Sequence, residues 1–498
     1  MVPFPGGRRV LVTLEGEGPL NQRLYRGLRA GILDGRYRPG DRLPSTRTLA
    51  TSLDISRNVV LAAFEQLLSE GYVEGRVGSG TFVSASLPDA ALAPWDAGRA
   101  PRAPSATTRL SAQAKRVLAL APLPPAGSQA VAGLRYDFRY GLPSLADFPQ
   151  DAWCRLLGRR ARAASIRTLR YGRARGFGPL REAIAHYLAR ARGVVATAEQ
   201  VVIVNGVQQT LDLVARLLID RGDRVVVEEP CYRAARQILL GAGARLVPTP
   251  VDALGLDVRR LPRRGSVRLA YVTPSHQFPL GGVLPLARRL QLLRWAERAG
   301  AHVIEDDYDS EFQYAERPVE AVQGLDRSGR VLYAGTFSKV LFPSIRIGYL
   351  VLPESLVPAV AALKYLMDCQ TPTFEQEVLT DFIVEGHFDR HLRRSRARNA
   401  ARRAALLEAL RESFGDSVEV AGANAGVHLV VWLRGVRASK LDALIEGASR
   451  RGLGIYSVTP HYLCAPRTAG LLLGYACLTE REIREGVSLL ASVLSDRH

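Results

Sequence analysis

Only four lysines occur in the chain, Lys115, Lys339, Lys364 and Lys440, so chemistry that needs a primary amine has few places to sit. Lys339 closes Ala334-Gly-Thr-Phe-Ser-Lys339 behind an apolar run, and Arg346 follows within Pro343-Ser-Ile-Arg-Ile-Gly348. A lysine amine forms a Schiff base with an aldehyde, while neighbouring hydroxyl and guanidinium groups hold a dianionic phosphate. His302-Val-Ile-Glu-Asp-Asp-Tyr-Asp309 reads as a strand ending in acids and a phenol, which places a carboxylate against a pyridinium nitrogen and a hydroxyl against a ring oxygen. Asn205-Gly-Val-Gln-Gln209 opens a helix behind another strand, where free backbone amides and the helix dipole favour phosphate. Tyr232, after Glu229-Pro-Cys231, has a ring that can stack on a flat heterocycle. These are together the requirements of pyridoxal phosphate. A lone lysine behind a strand is ordinarily a solvated surface residue, but here its partners stand in order around it.

A second group of residues points to a different ligand. Leu24, Leu28 and Ile32 recur at helical spacing over Leu20–Asp34, and Gly35 stops the helix. Ser45 can cap a second helix, Thr46–Leu53, with a turn at Asp54-Ile55, and Ser56 can cap a third running to about Glu70. Two short helices joined by a tight turn make a helix-turn-helix, whose second helix enters the major groove by its N-terminal end. Ser56, Arg57 and Asn58 occupy that end, and Arg47 can anchor a phosphate. Gly71-Tyr-Val-Glu-Gly75 and Val77-Gly-Ser-Gly-Thr-Phe82 then give two short strands around a glycine turn, suited to a wing beside the minor groove, with Gly80 near its tip.

The elements that must position these groups fall into three zones of the 498 residues: 18–85, 86–134 and 135–498. The middle zone is rich in Ala, Pro and Arg and reads as a linker, interrupted by a short helix around 112–121. In the third, strand-like runs at Val201–Val204, Arg224–Val227, Arg268–Val272, His302–Glu305 and Val331–Tyr333 alternate with helical ones. That alternation predicts an α/β fold with a mostly parallel sheet and ligands at the strand ends, followed by a smaller C-terminal α/β subdomain from about Thr371.

The formal net charge of +19 suits a polyanionic partner. Its distribution does not single out the reader, because 1–85 and 86–134 each carry +3 and the remainder +13. Five cysteines without metal-ligand spacing exclude a disulfide framework and fit a reducing compartment. No apolar stretch reaches membrane-span length, so a cytoplasmic protein is expected.

Leu43-Pro-Ser-Thr-Arg47, Ile55-Ser-Arg-Asn58, Phe64-Glu-Gln-Leu67, Glu70-Gly-Tyr72 and Gly78-Ser-Gly-Thr-Phe82 closely resemble the GntR family of winged helix-turn-helix regulators. That likeness implies double-stranded operator DNA as partner and Arg47, Ser56, Arg57, Asn58 and Gly80 as contacts. The lysine, acid-tyrosine and glycine motifs resemble the fold type I aminotransferases, and the whole chain resembles the MocR/GabR-type regulators, which join the two. The resemblance implies Lys339 as the Schiff-base lysine, Asp306 facing the pyridine nitrogen and Tyr308 facing the ring hydroxyl. It implies Gly206, Val207, Gln208, Ser338 and Arg346 on the phosphate, Tyr232 on the ring, and Tyr171 reaching the partner subunit's phosphate in a head-to-tail homodimer. Thr273 and His276, in Thr273-Pro-Ser-His-Gln-Phe-Pro279, contact the ring or an effector, or else stabilise the turn.

One departure stands out. Amino-acid aminotransferases place an arginine just before a Gly-Tyr pair to grip the substrate carboxylate. In Ala469-Gly-Leu-Leu-Leu-Gly-Tyr475 that place holds Leu472, with Arg467 the nearest substitute. The expected function is therefore a regulator that responds to pyridoxal phosphate itself or to a reactive amine or amino acid. The alternatives are an aminotransferase that keeps a reader for autoregulation and a DNA-binding protein with a vestigial pocket.

Overall fold

Serines at two helix starts set the frame of the N-terminal unit. Helix α1 spans Leu20–Leu33, α2 Thr46–Leu53 and α3 Arg57–Ser69. The Ser45 hydroxyl accepts from Thr48 N at 3.1 Å and the Ser56 hydroxyl from Val59 N at 3.4 Å, so each cap satisfies an otherwise orphaned amide. Asp54, at φ 52°, closes α2 in the left-handed region and turns the chain into α3. Leu24, Leu28, Ile32, Leu49, Val60 and Leu67 are fully buried in one core, each contributing about 1.5–3 kcal/mol. Strands β1 (Val73–Arg76) and β2 (Gly80–Val83) form the antiparallel hairpin, in register Val73↔Val83 to Arg76↔Gly80. Leu43 N donates to Thr81 O, tying the turn before α2 to this wing.

These coordinates, a computed structural model, describe residues 2–3, 9–10, 12, 14, 16–76, 78–85, 109–120, 133–314 and 320–495. They divide into two compact units, Met1–Arg109 and Leu110–His498. Most of the expected linker lies outside the described residues. The short helix inside it, α4 (Ala112–Leu118), belongs to the second unit, where Arg116 Nε donates to Gly241 O at 3.2 Å.

The second unit is built on an eight-stranded sheet. Its strands are β3 (Val201–Val204), β4 (Arg224–Glu229), β5 (Arg245–Asp252), β6 (Gly255–Leu256), β7 (Leu269–Val272), β8 (His302–Asp307), β9 (Val331–Thr336) and β10 (Gly348–Val351). Their spatial order is β3-β10-β9-β8-β7-β4-β5-β6. The run β9-β8-β7-β4-β5 is parallel, while β10 lies antiparallel between β9 and β3. Strands buried on both faces read as continuous apolar runs, which is why the valines of β3, β4 and β9 were visible in the sequence. Strands β5, β6 and β10 do not stand among the runs read from the sequence.

A smaller antiparallel sheet follows, β11 (Val418–Ala421), β12 (His428–Arg437), β13 (Tyr456–Ser457) and β14 (Thr468–Gly474), in the order β11-β12-β14-β13. Its apolar face packs Leu429, Val431, Leu471 and Leu473 under helices His387–Phe414 and Glu480–Ser495. Tyr136–Asp137 pairs with Leu453–Gly454, so the start of the body also joins this smaller unit.

Candidate functional site

The groups picked out from the sequence sit beyond the C-terminal ends of β3, β4, β7, β8 and β9, the edge where open α/β sheets take ligands. At one end, Gly206 opens helix α5 (Val207–Leu218) at φ 88° with no side chain capping it. A Cβ at Gly206 would stand 3.1 Å from Arg346 Nη2, and that nitrogen donates to Asn205 O at 2.6 Å. The backbone of β10 comes equally close, since a Cβ on Gly348 would be 3.0 Å from Gly206 Cα. Ser338 Oγ is buried without a partner among the described residues. Free helix-end amides, a guanidinium and an unsatisfied hydroxyl together form a cradle for a phosphate. Lys364 braces it from behind: its buried ammonium bonds both Asp368 oxygens at 2.8 Å, and Asp368 Oδ2 accepts from Asn205 and Gln209.

Lys339 Nζ donates to Gly141 O at 2.6 Å. Burial pulls its amine below the ordinary value, while Asp309 and Asp306 pull it back up. Asp306 and Asp307, neighbours on β8, project to opposite faces and do different work. Asp307 is locked by Arg192 Nε at 2.9 Å, Ser310 at 2.9 Å and the Tyr333 hydroxyl. Burial alone would raise its carboxyl, but the Arg192 guanidinium overrides this and holds it below the usual range. Among the described residues Asp306 has a single hydrogen-bond partner, Tyr271, at 2.7 Å, and its Oδ1 is buried and unsatisfied. Burial pushes Asp306 up to about 7. An orphaned carboxylate oxygen in a site holding a lysine fits a protonated ring nitrogen. Tyr232, whose hydroxyl burial pushes up to about 12, stands by Gln208 and packs edge-on against Phe278.

Tyr308 and His276 meet, hydroxyl to Nδ1, at 2.9 Å. Thr273 turns elsewhere: its hydroxyl donates to Glu228 at 2.6 Å and accepts from Phe278 N at 2.9 Å, bracing the turn. Leu472 is fully buried in an apolar cluster with Phe278, Val430 and Val458. Arg467 is exposed at the foot of β14, outside that cluster. Tyr171 is 88% exposed, close to exposed Ile166 and Leu169, and its neighbour Gly172 donates to Gln370.

On the N-terminal unit, Arg47, Arg57 and Asn58 are exposed at the starts of α2 and α3. Ser56 is exposed too, with its hydroxyl engaged in capping, and Gly80 opens β2 at φ 108° beside the hairpin tip.

Sequence reasoning missed Tyr271, Arg192 and His428. Each acts through a partner far along the chain, so no local spacing announces it.

Two family descriptions match the chain. Residues 20–83 match "Bacterial regulatory proteins, gntR family", and residues 148–488 match "Aminotransferase class I and II". The chain is 40% identical, over 97% of its length and 95% of the relative's, to the probable rhizopine catabolism regulatory protein MocR of Rhizobium meliloti. Among solved structures it is similar to the kynurenine aminotransferase of Pyrococcus horikoshii (29% identity, TM-score 0.68, covering 74% of this chain and 92% of that one). It is also similar to the α-aminoadipate aminotransferase LysN of Thermus thermophilus, complexed with N-(5'-phosphopyridoxyl)-L-leucine (28% identity, TM-score 0.70, covering 78% and 97%).

Proposed function

Because the chain belongs to the GntR-type transcription regulators that carry an aminotransferase class I and II body, we propose that its body is a sensor whose ligand state alters how its reader holds operator DNA. Residues 18–85 serve as the reader, 86–134 as the connection, and 135–498 as the sensing body. Pyridoxal phosphate is the cofactor of that body, and the site fits it: an unsatisfied Asp306 oxygen, an unsatisfied Ser338 hydroxyl, an uncapped helix start at Gly206 and a buried lysine. Bound there, the cofactor supplies an aldehyde carbon that links covalently to amines. Lys339 is the amine that holds it. Asp306 keeps a proton on the ring nitrogen, Tyr308 meets the ring oxygen, and Tyr232 covers the ring face. Gly206, Val207, Gln208, Ser338 and Arg346 hold the phosphate, while Thr273 shapes the turn that carries His276.

The observation that favours a sensor over a catalyst is Leu472, fully buried among Phe278, Val430 and Val458 where a carboxylate-gripping arginine would be needed. Transamination requires the amino acid held in register over the cofactor. An apolar cluster offers it nothing ionic, so pyridoxal phosphate itself or an amine suits the site better as effector.

Exposed Ile166, Leu169, Tyr171, Tyr365 and Leu366 support a homodimer, in which Tyr171 reaches the other subunit's phosphate. A paired reader would then place two α3 helices on two half-sites, with Arg57 and Asn58 at base edges, Arg47 on phosphate and Ser56 fixing the helix start. No helix among the described residues is long and apolar enough to cross a membrane; a reader of operator DNA would work in the cytoplasm, where that DNA lies.

The test is a gel shift and footprint on DNA flanking the protein's own gene, with and without pyridoxal phosphate, for the parent and Lys339→Ala. Specific binding that changes with the cofactor in the parent alone is expected. Absence of specific binding in either state would refute the regulator, and sustained turnover of amino donors with a keto acid would favour the aminotransferase.

A further inference from the structure

Tyr308, His276 and Asp309 converge on one nitrogen. The two Asp309 oxygens stand 3.0 and 3.2 Å from His276 Nδ1, and the Tyr308 hydroxyl stands 2.9 Å from the same atom. A carboxylate has only acceptors to offer, so Nδ1 carries the ring proton. The other tautomer would set a lone pair against two carboxylate oxygens. It would also leave an N–H on Nε2, which is buried and has no partner among the described residues.

The imidazole is not free to turn away. A Cβ on Gly426 would lie 2.0 Å from His276 Cε1, and one on Gly281 3.0 Å from Nε2, so two bare backbones wall the ring. With the Nδ1 proton already pointing at Asp309 and Tyr308, the phenol oxygen can only accept there. Its own proton must be given to something else, and His276 is its one hydrogen-bond partner among the described residues.

We propose that Asp309, acting through His276, is a positioning residue that obliges the Tyr308 hydroxyl to donate into the cofactor site. This rests on Tyr308 meeting the cofactor's ring oxygen, as read above. A donor on that anionic oxygen makes it easier for the lysine-bound cofactor to give up its proton, and withdrawing the donor makes it harder. Other charges face the same groups: Asp306, Glu228 and Asp307 toward Tyr308, and His428 toward His276, with their rings 4.7 Å apart. His428 in turn faces Lys339 and His461, and its Nε2 bonds Pro279 O at 3.2 Å. None of these is within hydrogen-bonding distance of the phenol oxygen.

The experiment follows the absorbance of the full-length protein loaded with pyridoxal phosphate as pH is titrated through neutrality. The readout is the midpoint at which its two absorbing forms interconvert. Tyr308→Phe is expected to raise that midpoint by about one unit or more, and Asp309→Asn to raise it in the same direction. His276→Asn, whose amide can keep a donor where Nδ1 stood, should return close to the parent, whereas His276→Leu should not. If Asp309→Asn fails to load, Asp309→Ser takes its place with the same expectation. A midpoint moved by Tyr308→Phe but not by the Asp309 or His276→Leu substitutions would overturn the proposal. A midpoint unmoved by Tyr308→Phe would instead overturn the reading of Tyr308 on which it stands.

Discussion

Replacing Gly206 by alanine puts the phosphate cradle under direct test. At φ 88° and ψ 174° this residue sits where side chains are almost never found, at a cost of about 1–3 kcal/mol. The unloaded loop can relax away from that strain, but a phosphate seated on the first amides of α5 would restore it. The added methyl would also stand 3.1 Å from Arg346 Nη2, which must then give by a few tenths of an ångström while bonded to Asn205 O at 2.6 Å. Weakening one charged hydrogen bond costs up to about 1.5–3 kcal/mol. Taken together, roughly 2–4 kcal/mol should be lost on binding, a rise of about 30- to 1,000-fold in the dissociation constant for pyridoxal phosphate. The assay is titration of the cofactor-free protein by absorbance. Gly222→Ala is the control, because Gly222 also has positive φ but nothing within 4 Å of the added Cβ. It should cost stability without changing affinity. A Gly206→Ala protein that is folded and binds the cofactor within threefold of the parent would refute the cradle.

Three further outcomes follow from the same geometry. Asp307→Asn should lower body stability by about 3–5 kcal/mol by removing the carboxylate that balances the buried Arg192 charge, whereas Asp306→Asn should leave melting little changed and weaken the cofactor; the pair is read by denaturant unfolding and cofactor titration. Burial raises Asp306, Glu228, Glu305 and Glu311 each to about 7, so the folded state holds more protons than the unfolded between about pH 4 and 7, and their contribution to stability is lost as pH rises across that range and is gone above about 7. His461, lowered to about 3 by burial, acts in the opposite sense below its ordinary 6.5. Four raised carboxyls outweigh that one imidazole, so the cofactor-free body should melt progressively lower as pH rises from about 5 to 7.5, with Glu228→Gln shrinking the loss, as calorimetry can check. Finally, Arg57→Ala should weaken operator binding and, if the arginine lies on phosphate, lower the slope of log K against log salt by about one; a loss confined to one base position would place it in the groove instead.

How much of this could be read from the chain depended on whether a residue's partner was near or far. The caps at Ser45 and Ser56 and the turn at Asp54 are local devices, and the three reader helices fall where their spacing put them. Lys339, Asp306, Gly206 and Arg346 could be found because each ends or follows a strand whose apolar run is visible. What the spacing could not convey was the cross-chain pairing. The segment before β10 reads as a phosphate motif, and the insertion of β10 antiparallel between β9 and β3 depends in part on β3, more than a hundred positions away. The division of labour between Asp306 and Asp307 becomes physical only once Arg192 and Tyr271 arrive from other elements. Thr273 was offered as a ring contact or a turn stabiliser, and its hydroxyl is spent on Glu228 and Phe278 N.

The placement of β10 also bears on how the molecule comes into being. Arg346 and Gly206 lie 140 positions apart, and the closure of β3 onto β10 brings their backbones together. Such distant pairing carries a loop-closure cost and forms slowly relative to local helices. On a growing chain the reader is complete once residue 85 has emerged, whereas the cradle must wait for Val351 and for the sheet to shut. Occupancy of the site by its phosphate ligand is thus a certificate of maturity, issued only to chains whose body has finished folding.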